Sequence, residues 1–409
     1  MEDLYSFIEK VLDIKNPWKI TDTYVKGEGA GKEIHTHIEV PFGSAVGCPE
    51  CGRICRVHDR KERVWRNADA FAVRTYIHAN VPRSDCPEHG IRQIDVPWAR
   101  PGSGFTLLME SMIVSMVRQM PVKAVGDMIG EYDGRIWTVV HAYSEKLIGG
   151  LDLSNVKRVG VDEKCFSGHD SFITVFTDAD EGRIIFVTEG KSKSAISEFR
   201  DFLHSHGGDK RNITDFSCDF GSAYISGIRK YFKRVRITAD RFHLVKLANK
   251  ALNDTKCKEL KLSVNRMKAR YLLLRNSSKL SPGDMELRDR ICQDNETLGM
   301  AYRMKESLCS LYDLDDAYAA TDHLTGWIGW AASSGLYHFK KLAGTVKRHM
   351  GHIVQWFTSR LTNAIAEGVN SLISVIKSRA RGFRKTESLI SMCYLVSAQE
   401  KTDMYGRGL

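Results

Sequence analysis

Apolar residues recur along this 409-residue chain with two different periods, and the chain divides where the period changes. The opening MEDLYSFIEKVLDIK is amphipathic and runs into a turn-rich KGEGAGK, which predicts an N-terminal helical segment over 1–47. Residues 48–105 carry short β-like runs such as Phe71–Ile77 and end in a Pro101-Gly-Ser-Gly loop. Residues 106–148 read as three helices. From about 156, β-branched runs alternate with helical periodicity. VKRVGVD, SFITVFTDAD and RIIFVTEG predict strands, SKSAISEFRDFLHSH a helix, NITDFSCD a strand, GSAYISGIRKYF a helix and VRITAD a strand. From about 243 to the end the pattern is helical.

Three strands, a helix, a strand, a helix and a strand is the element order of a ribonuclease-H-like α/β core. The expected fold class is therefore an α/β core of that kind with an all-helical insertion, preceded by two small modules. The expected boundaries are 48–105 and 106–148 for the modules and 156–249 for the first part of the core. Residues 250–350 are the insertion, and 351–409 are C-terminal helices that complete the core.

Composition narrows the class. With 43% hydrophobic and 27% charged residues the chain is globular, and ten cysteines are too few for a disulfide scaffold. No run of about 18 apolar residues occurs, and the first residues lack a basic n-region followed by an apolar h-region. A cytoplasmic protein that crosses no membrane is expected. The net charge is +10, and its placement is informative. Arg241–Leu280 holds eleven basic and two acidic residues, among them Lys256, Lys258 and Lys261. Lys377–Lys385 puts five cations in nine positions, including Arg379, Arg381 and Arg384. Such clusters are the footprint of a phosphate-backbone binder. The competing reading for each is a solvated helix face.

Two knuckles, Cys48-Pro-Glu-Cys51 and Cys86-Pro-Glu-His89, repeat one spelling. Ligands two residues apart let one tight turn deliver a pair, and four such donors complete a tetrahedral, structural Zn²⁺ site. Cys55 and His58 are nearby competitors that would break the symmetry of the pairs. Further on, Pro121–Gly130 followed by Glu131–His141 has the layout of a helix-turn-helix. Ala124, Met128 and Ile129 are expected to face inward from the first helix, and Ile136, Val139 and Val140 from the second. Arg135, Thr138 and His141 would then lie on the open face of a recognition helix. Any helical hairpin can imitate this pattern.

Asp162 closes the first strand of the expected core and Asp219 the fourth. In a ribonuclease-H-like sheet these strands are parallel neighbours, so their carboxylates converge at one edge and could hold Mg²⁺ or Mn²⁺. A third carboxylate must come from elsewhere. Glu367 lies on a helix with Asn363, Asn370, Ser371 and Ser374 on its polar stripe, which by spacing alone reads as a solvated face. Glu163, Asp178 and Asp215 are neighbouring acids expected to be dispensable.

At this point the motifs resemble a known family. Cys48-Pro-Glu-Cys51-Gly, Arg63-Val-Trp-Arg66, Val81-Pro-Arg-Ser-Asp-Cys86-Pro-Glu-His89-Gly and Val96-Pro-Trp-Ala99 resemble bacterial insertion-sequence transposases of the ISL3 type. So do Gly160-Val-Asp162-Glu163 with Gly168-His169, Asp240-Arg-Phe-His243, and Asn363-Ala-Ile-Ala-Glu367-Gly-Val-Asn370 with Arg381-Gly-Phe-Arg384, in the same order. The resemblance implies that the zinc module and helix-turn-helix bind terminal inverted repeats. It also implies that a DDE domain cuts and rejoins DNA with catalytic Mg²⁺ or Mn²⁺ on Asp162, Asp219 and Glu367. Asp240 and His243 would be supporting residues, and the assembly a homodimer on double-stranded DNA, at its ends and at the target. Two departures stand out: Asn363-Ala-Ile-Ala-Glu367 replaces the frequent Asn-Gly-x-x-Glu, and His89 stands where relatives can have Cys. The rival functions are a zinc and helix-turn-helix regulator with an inactive core, and a nuclease or resolvase that cuts without strand transfer.

Overall fold

The computed structural model describes residues 4–167, 171–259, 266–275, 280–361, 364–380 and 382–398, giving only the backbone path at several positions, 364–367 among them. The chain forms two compact units, one up to Ser144 and one over Glu145–Ala398.

The first unit begins with helix α1 (Leu4–Val11) and continues as strands β1 (Lys19–Lys26), β2 (Glu33–Glu39), β3 (Val46–Gly47), β4 (Ile54–Cys55), β5 (Val57–Ala70), β6 (Val73–Cys86) and β7 (Gly90–Gln93). The helical expectation for 1–47 therefore fails beyond Val11. KITDTYVK and EIHTHIE alternate between two faces, which is the period of a strand. Ile20 and Ile38 pair on the buried face. The sheet runs β1-β2-β6-β5 with β7 against β6, and β2–β6 is its parallel pair. Trp98 closes the core, meeting Trp18 and Trp65 edge-on at 4.8 and 5.6 Å between ring centroids. Cys48 and Cys51 lie in the turn of a separate two-stranded sheet, β3–β4, while Cys86 ends β6 of the larger sheet.

Helices α2 (Leu107–Val117), α3 (Val122–Ile129) and α4 (Asp133–Gly149) follow. Thr106 caps α2 by accepting from Met109 N, and Gly130, at φ +69°, ends α3 in the left-handed conformation a glycine reaches without strain. These helices are joined to the β5–β6 hairpin by backbone and side-chain bonds. Arg66 N donates to Gly104 O (2.9 Å), Thr106 N to Arg66 O (3.0 Å), and Thr106 Oγ1 to Asn67 Oδ1 (2.7 Å). Beneath lies a buried carboxylate. Glu110 is fully enclosed and accepts from Arg100 Nε at 2.9 and 3.1 Å and from Ser103 Oγ at 2.6 Å. Burial raises its pKa despite these partners, and burial together with the Glu110 charge pushes the neighbouring Tyr143 up to about 12.

The second unit holds strands β8 (Arg158–Ser167), β9 (Ser171–Asp178), β10 (Arg183–Glu189), helix α5 (Lys193–Ser205), β11 (Asp215–Cys218), α6 (Ser222–Tyr231) and β12 (Arg236–Ala239). This is the element order the periodicity predicts. The sheet order is β10-β9-β8-β11-β12, antiparallel on the β9–β10 side and parallel from β8 through β11 to β12. Phe199, Phe216, Phe232 and Ile196 fill the core between the sheet and α5–α6. The described chain is then helical: α7 (Arg241–Glu259), α8 (Arg266–Leu274), α9 (Pro282–Asp294), α10 (Glu296–Cys309), α11 (Ala317–Ser333), α12 (Tyr337–Val354), α13 (Trp356–Ser359), α14 (Ala364–Ala380) and α15 (Thr386–Ser397). Leu252, Leu308, Leu324, Phe339 and Val346 belong to a second core formed by α7 and α10–α12. The last helix returns to the sheet, where Val187 N donates to the buried Tyr394 hydroxyl at 3.0 Å.

Arg100→Ala strands the Glu110 carboxylate in the core and should cost the first unit about 3–5 kcal/mol in a urea unfolding transition. Because the folded-state pKa of Glu110 lies above its unfolded value, its protonated form is the better tolerated one inside. The deficit of the variant against the parent should therefore shrink at pH 5 and widen toward pH 8.

Candidate functional site

The chemistry of the second unit gathers where its parallel strands end. Ser217 pairs with Gly160 and Cys218 with Ala239. Carrying each register forward sets Asp162, Asp219 and Asp240 at one level across three adjacent strands. In open α/β sheets this C-terminal edge is where ligands bind. Each carboxylate is oriented by a backbone N–H. Glu163 N donates to Asp162 Oδ1 (2.7 Å), Gly221 N to Asp219 Oδ1 (2.8 Å) and Phe242 N to Asp240 Oδ1 (3.0 Å). The side-chain amide of Asn370, on α14, also donates to Asp162. Asp240 Oδ2 holds His243 Nδ1 at 2.7 Å. Burial by itself would lower the pKa of His243, but the bond and charge of Asp240, with Asp162 and Asp219 behind it, raise it. A cleft of about 520 Å³ opens here, lined by Asp162, Asp240, His243, Lys246, Asn370 and Ser374 among others.

Residue 367 lies on α14 one turn before Asn370, while its side chain is outside the described residues. Gly168, His169 and Asn363 are outside them altogether. Glu163 is read from sequence as dispensable. It borders the same cleft and bonds Tyr224, and burial together with the charges of Asp219 and Asp162 raises its pKa. Asp178 and Asp215 lie at the opposite edge of the sheet, where Asp215 is clamped by Arg236 at 2.7 and 2.6 Å.

In the first unit, Cys48, Cys51, Cys86 and His89 converge, with their ligand atoms all within 4.8 Å of one another. Sγ of Cys86 lies 3.6 Å from His89 Nδ1 and 3.8 Å from Cys51 Sγ. The backbone N–H of His89, then its side chain, draws the Cys86 thiol down to about 6, which favours the thiolate that binds metal. Three sulfurs and one imidazole are the donor set of a structural zinc site. Cys55 stands aside, its thiol 3.3 Å from Arg53 O and its pKa raised by burial, then by the charges of Cys86 and Cys48. His58 is also outside the group.

In the helix-turn-helix, Ile136, Val139 and Val140 are buried as expected, and so is Ile129. Met128, expected inward, is 66% exposed, while Val122 and Val125 supply the inner face of α3 instead. On so short a helix a shift of one position turns the buried arc by about 100°. Arg135 and Thr138 are exposed and His141 is half-buried against Trp137, with ring centroids 5.6 Å apart. Arg135 is already engaged, by Glu131 Oε2 at 2.5 Å, Gly104 O at 3.2 Å and the face of Phe105 at 4.3 Å. Of the basic clusters, Arg379 and Arg384 are exposed, but Lys256 is 4% exposed and is no surface phosphate contact. It lies on the inner arc of α7, against the helical core. The side chain of Lys258, and Lys261 and Arg381, fall outside the described residues.

Comparison with known proteins agrees along the chain. Residues 44–89 match the zinc-finger of transposases of IS204, IS1001, IS1096 and IS1165, residues 94–144 the helix-turn-helix domain of transposase family ISL3, and residues 159–393 the ISL3 transposase model. The transposase for insertion sequence element IS1557 of Mycobacterium tuberculosis is 27% identical, over 95% of this chain and 94% of its own length. That for IS1001 of Bordetella parapertussis is 23% identical over 88% and 90%.

Elemental analysis of the purified chain should give about one zinc per molecule. Cys48→Ser with Cys86→Ser should abolish it, and Cys55→Ser should leave it in place. Zinc retained by the double variant would refute the ligand set.

Proposed function

Because the chain belongs to the ISL3 family of insertion-sequence transposases, we propose that it is a DDE-type enzyme that binds its element's terminal inverted repeats, cuts there and joins the freed end to target DNA. The sheet order β10-β9-β8-β11-β12 supports a ribonuclease-H-like core. Helices α7–α13 would be its all-helical insertion, and α14–α15 the return to the sheet. The observation that carries the reading is the alignment of Asp162 and Asp219 at the ends of adjacent parallel strands, beside a cleft of about 520 Å³ that Asp162 lines.

We read Asp162, Asp219 and Glu367 as the catalytic carboxylates. All are oxygen donors, which suits Mg²⁺ or Mn²⁺ rather than a softer ion. When bound, such ions activate water and stabilise the leaving oxygen of an in-line displacement. The part played by the chain is orientation. Backbone N–H groups and the Asn370 amide aim two carboxylates, and Glu367, one turn before Asn370 on α14, would supply the third. Asp240 holds His243 as a supporting pair, and Lys164 and Lys246 set positive charge in the cleft for DNA phosphates. The reaction needs no Ser or Cys nucleophile. Helices α3 and α4 read the repeat through Arg135, Thr138 and His141. Two ends must be processed together, so the working assembly is a homodimer on DNA.

Asp162→Asn, Asp219→Asn and Glu367→Gln should each bind a labelled terminal repeat normally. Each should lose Mg²⁺- or Mn²⁺-dependent nicking and strand transfer by about a thousandfold, the effect of removing several kcal/mol of charge stabilisation at about 1.4 kcal/mol per tenfold. Asp215→Asn should keep its activity. Full activity in Glu367→Gln would remove it from the triad, and nicking without strand transfer would favour a nuclease.

A further inference from the structure

The turn between β5 and β6 is built against its own chemistry. Ala70 pairs with Val73, so the loop is the two residues Phe71 and Ala72. Both have positive φ, +54° and +60°, a conformation that two-residue hairpins ordinarily assign to Asn-Gly. A phenylalanine there strains the backbone, and its ring contributes nothing to the core because it is 96% exposed. Neither the strain nor the exposed ring helps the hairpin form. Paired strain and exposure of this kind point to a use outside the fold.

The position of the tip says what the use is. Arg66, four residues before β5 ends at Ala70, is 2% exposed and forms ion pairs with Asp69 and with Glu131. Glu131 lies in the α3–α4 turn and also holds Arg135 on the first turn of α4. On the other strand, the Arg74 guanidinium lies against Gly130, where any Cβ would collide with it. The tip is therefore fixed beside the turn of the helix-turn-helix, at the N-terminal end of α4. It is that end of the second helix that meets base edges in the major groove. Tyr132, in the same turn, is 85% exposed. The tip is also narrow. Its chain neighbours are Ala70 and Ala72, so the tip offers far less than the roughly 800 Å² per partner of a stable protein interface. A single ring on a slim β-ribbon suits a minor groove about 6 Å wide.

Building on the proposal that α4 reads the terminal repeat, we propose that the β5–β6 hairpin is a wing, and that Phe71 enters the minor groove next to the site of α4. The turn keeps its strained pair because Asn-Gly, the better turn, would not reach the bases.

The test is Phe71→Asn with Ala72→Gly in the full-length chain. The double variant should hold zinc as the parent does and melt at the same or a higher temperature, since the turn is relaxed. Its affinity for a labelled duplex of the DNA flanking the coding region should fall by about tenfold, the size of one lost specific DNA contact. Its hydroxyl-radical footprint should lose minor-groove protection at one edge, and Phe71→Trp should retain most of the parent's affinity. Unchanged affinity and footprint would overturn the wing. A parent that does not distinguish this duplex from random DNA would instead overturn the helix-turn-helix reading beneath it. If the double variant loses self-association in sedimentation without DNA and keeps the full footprint, the tip is a contact between copies and the wing is refuted.

Discussion

The parallel register of β8, β11 and β12 is the constraint on which the chemistry of this molecule rests. It aligns three acids at one edge, an arrangement that like-charge repulsion disfavours and that no stability argument would select. The apolar body beneath, with Val159, Val161, Phe216 and Ile237 buried, sustains it. So do the backbone N–H groups of Glu163, Gly221 and Phe242, each given to one carboxylate. The cost is visible one residue below: the fully buried Cys218 thiol is driven far up, first by burial and then by Asp219 and Asp240. At the opposite edge Asp215 faces Arg236 in a closed pair. One edge of the sheet has its charge neutralised by arginine, and the other gathers carboxylates.

The first unit solves a different problem, that of keeping a small DNA reader stiff. Strand β6 ends in Cys86 of the metal site and begins beside Arg74 at the helix-turn-helix turn. One end of the cysteine–histidine cluster and the α3–α4 turn are therefore linked through a single strand. Arg66 and the Glu110 network join that sheet to α2–α4 with buried, charge-assisted bonds, strong but intolerant of losing a partner. Bracing by metal at one end of the sheet would thus support geometry at the other.

Much of this was legible in residue order. The repeated knuckle spelling selected the four donors because the spacing of two is a local property of one turn. The strands and helices of the second unit followed from periodicity, and the acids that end β8 and β11 from their position in it. The failures share a cause. The helical expectation for 19–39 extends the pattern of the preceding segment, whereas β1 pairs with β2 and β2 with β6, more than thirty residues later. Met128 and Lys256 were assigned to the wrong faces because a short or weakly amphipathic helix is oriented by whatever it packs against.

The sequence by itself therefore determined which groups are chemically equipped: the soft donors, the strand-ending carboxylates and the basic clusters, whereas Phe71, read at the start of a strand, stands in the turn before it. Only the tertiary structure decided which of them meet. Asp240 joins the carboxylate row through the register of β12, Glu163 finds Tyr224, and Asn370 reaches Asp162 across 208 positions. Such meetings depend on strand register and helix docking between distant segments, and the free energy that sets them is spread over whole cores rather than written in any local pattern.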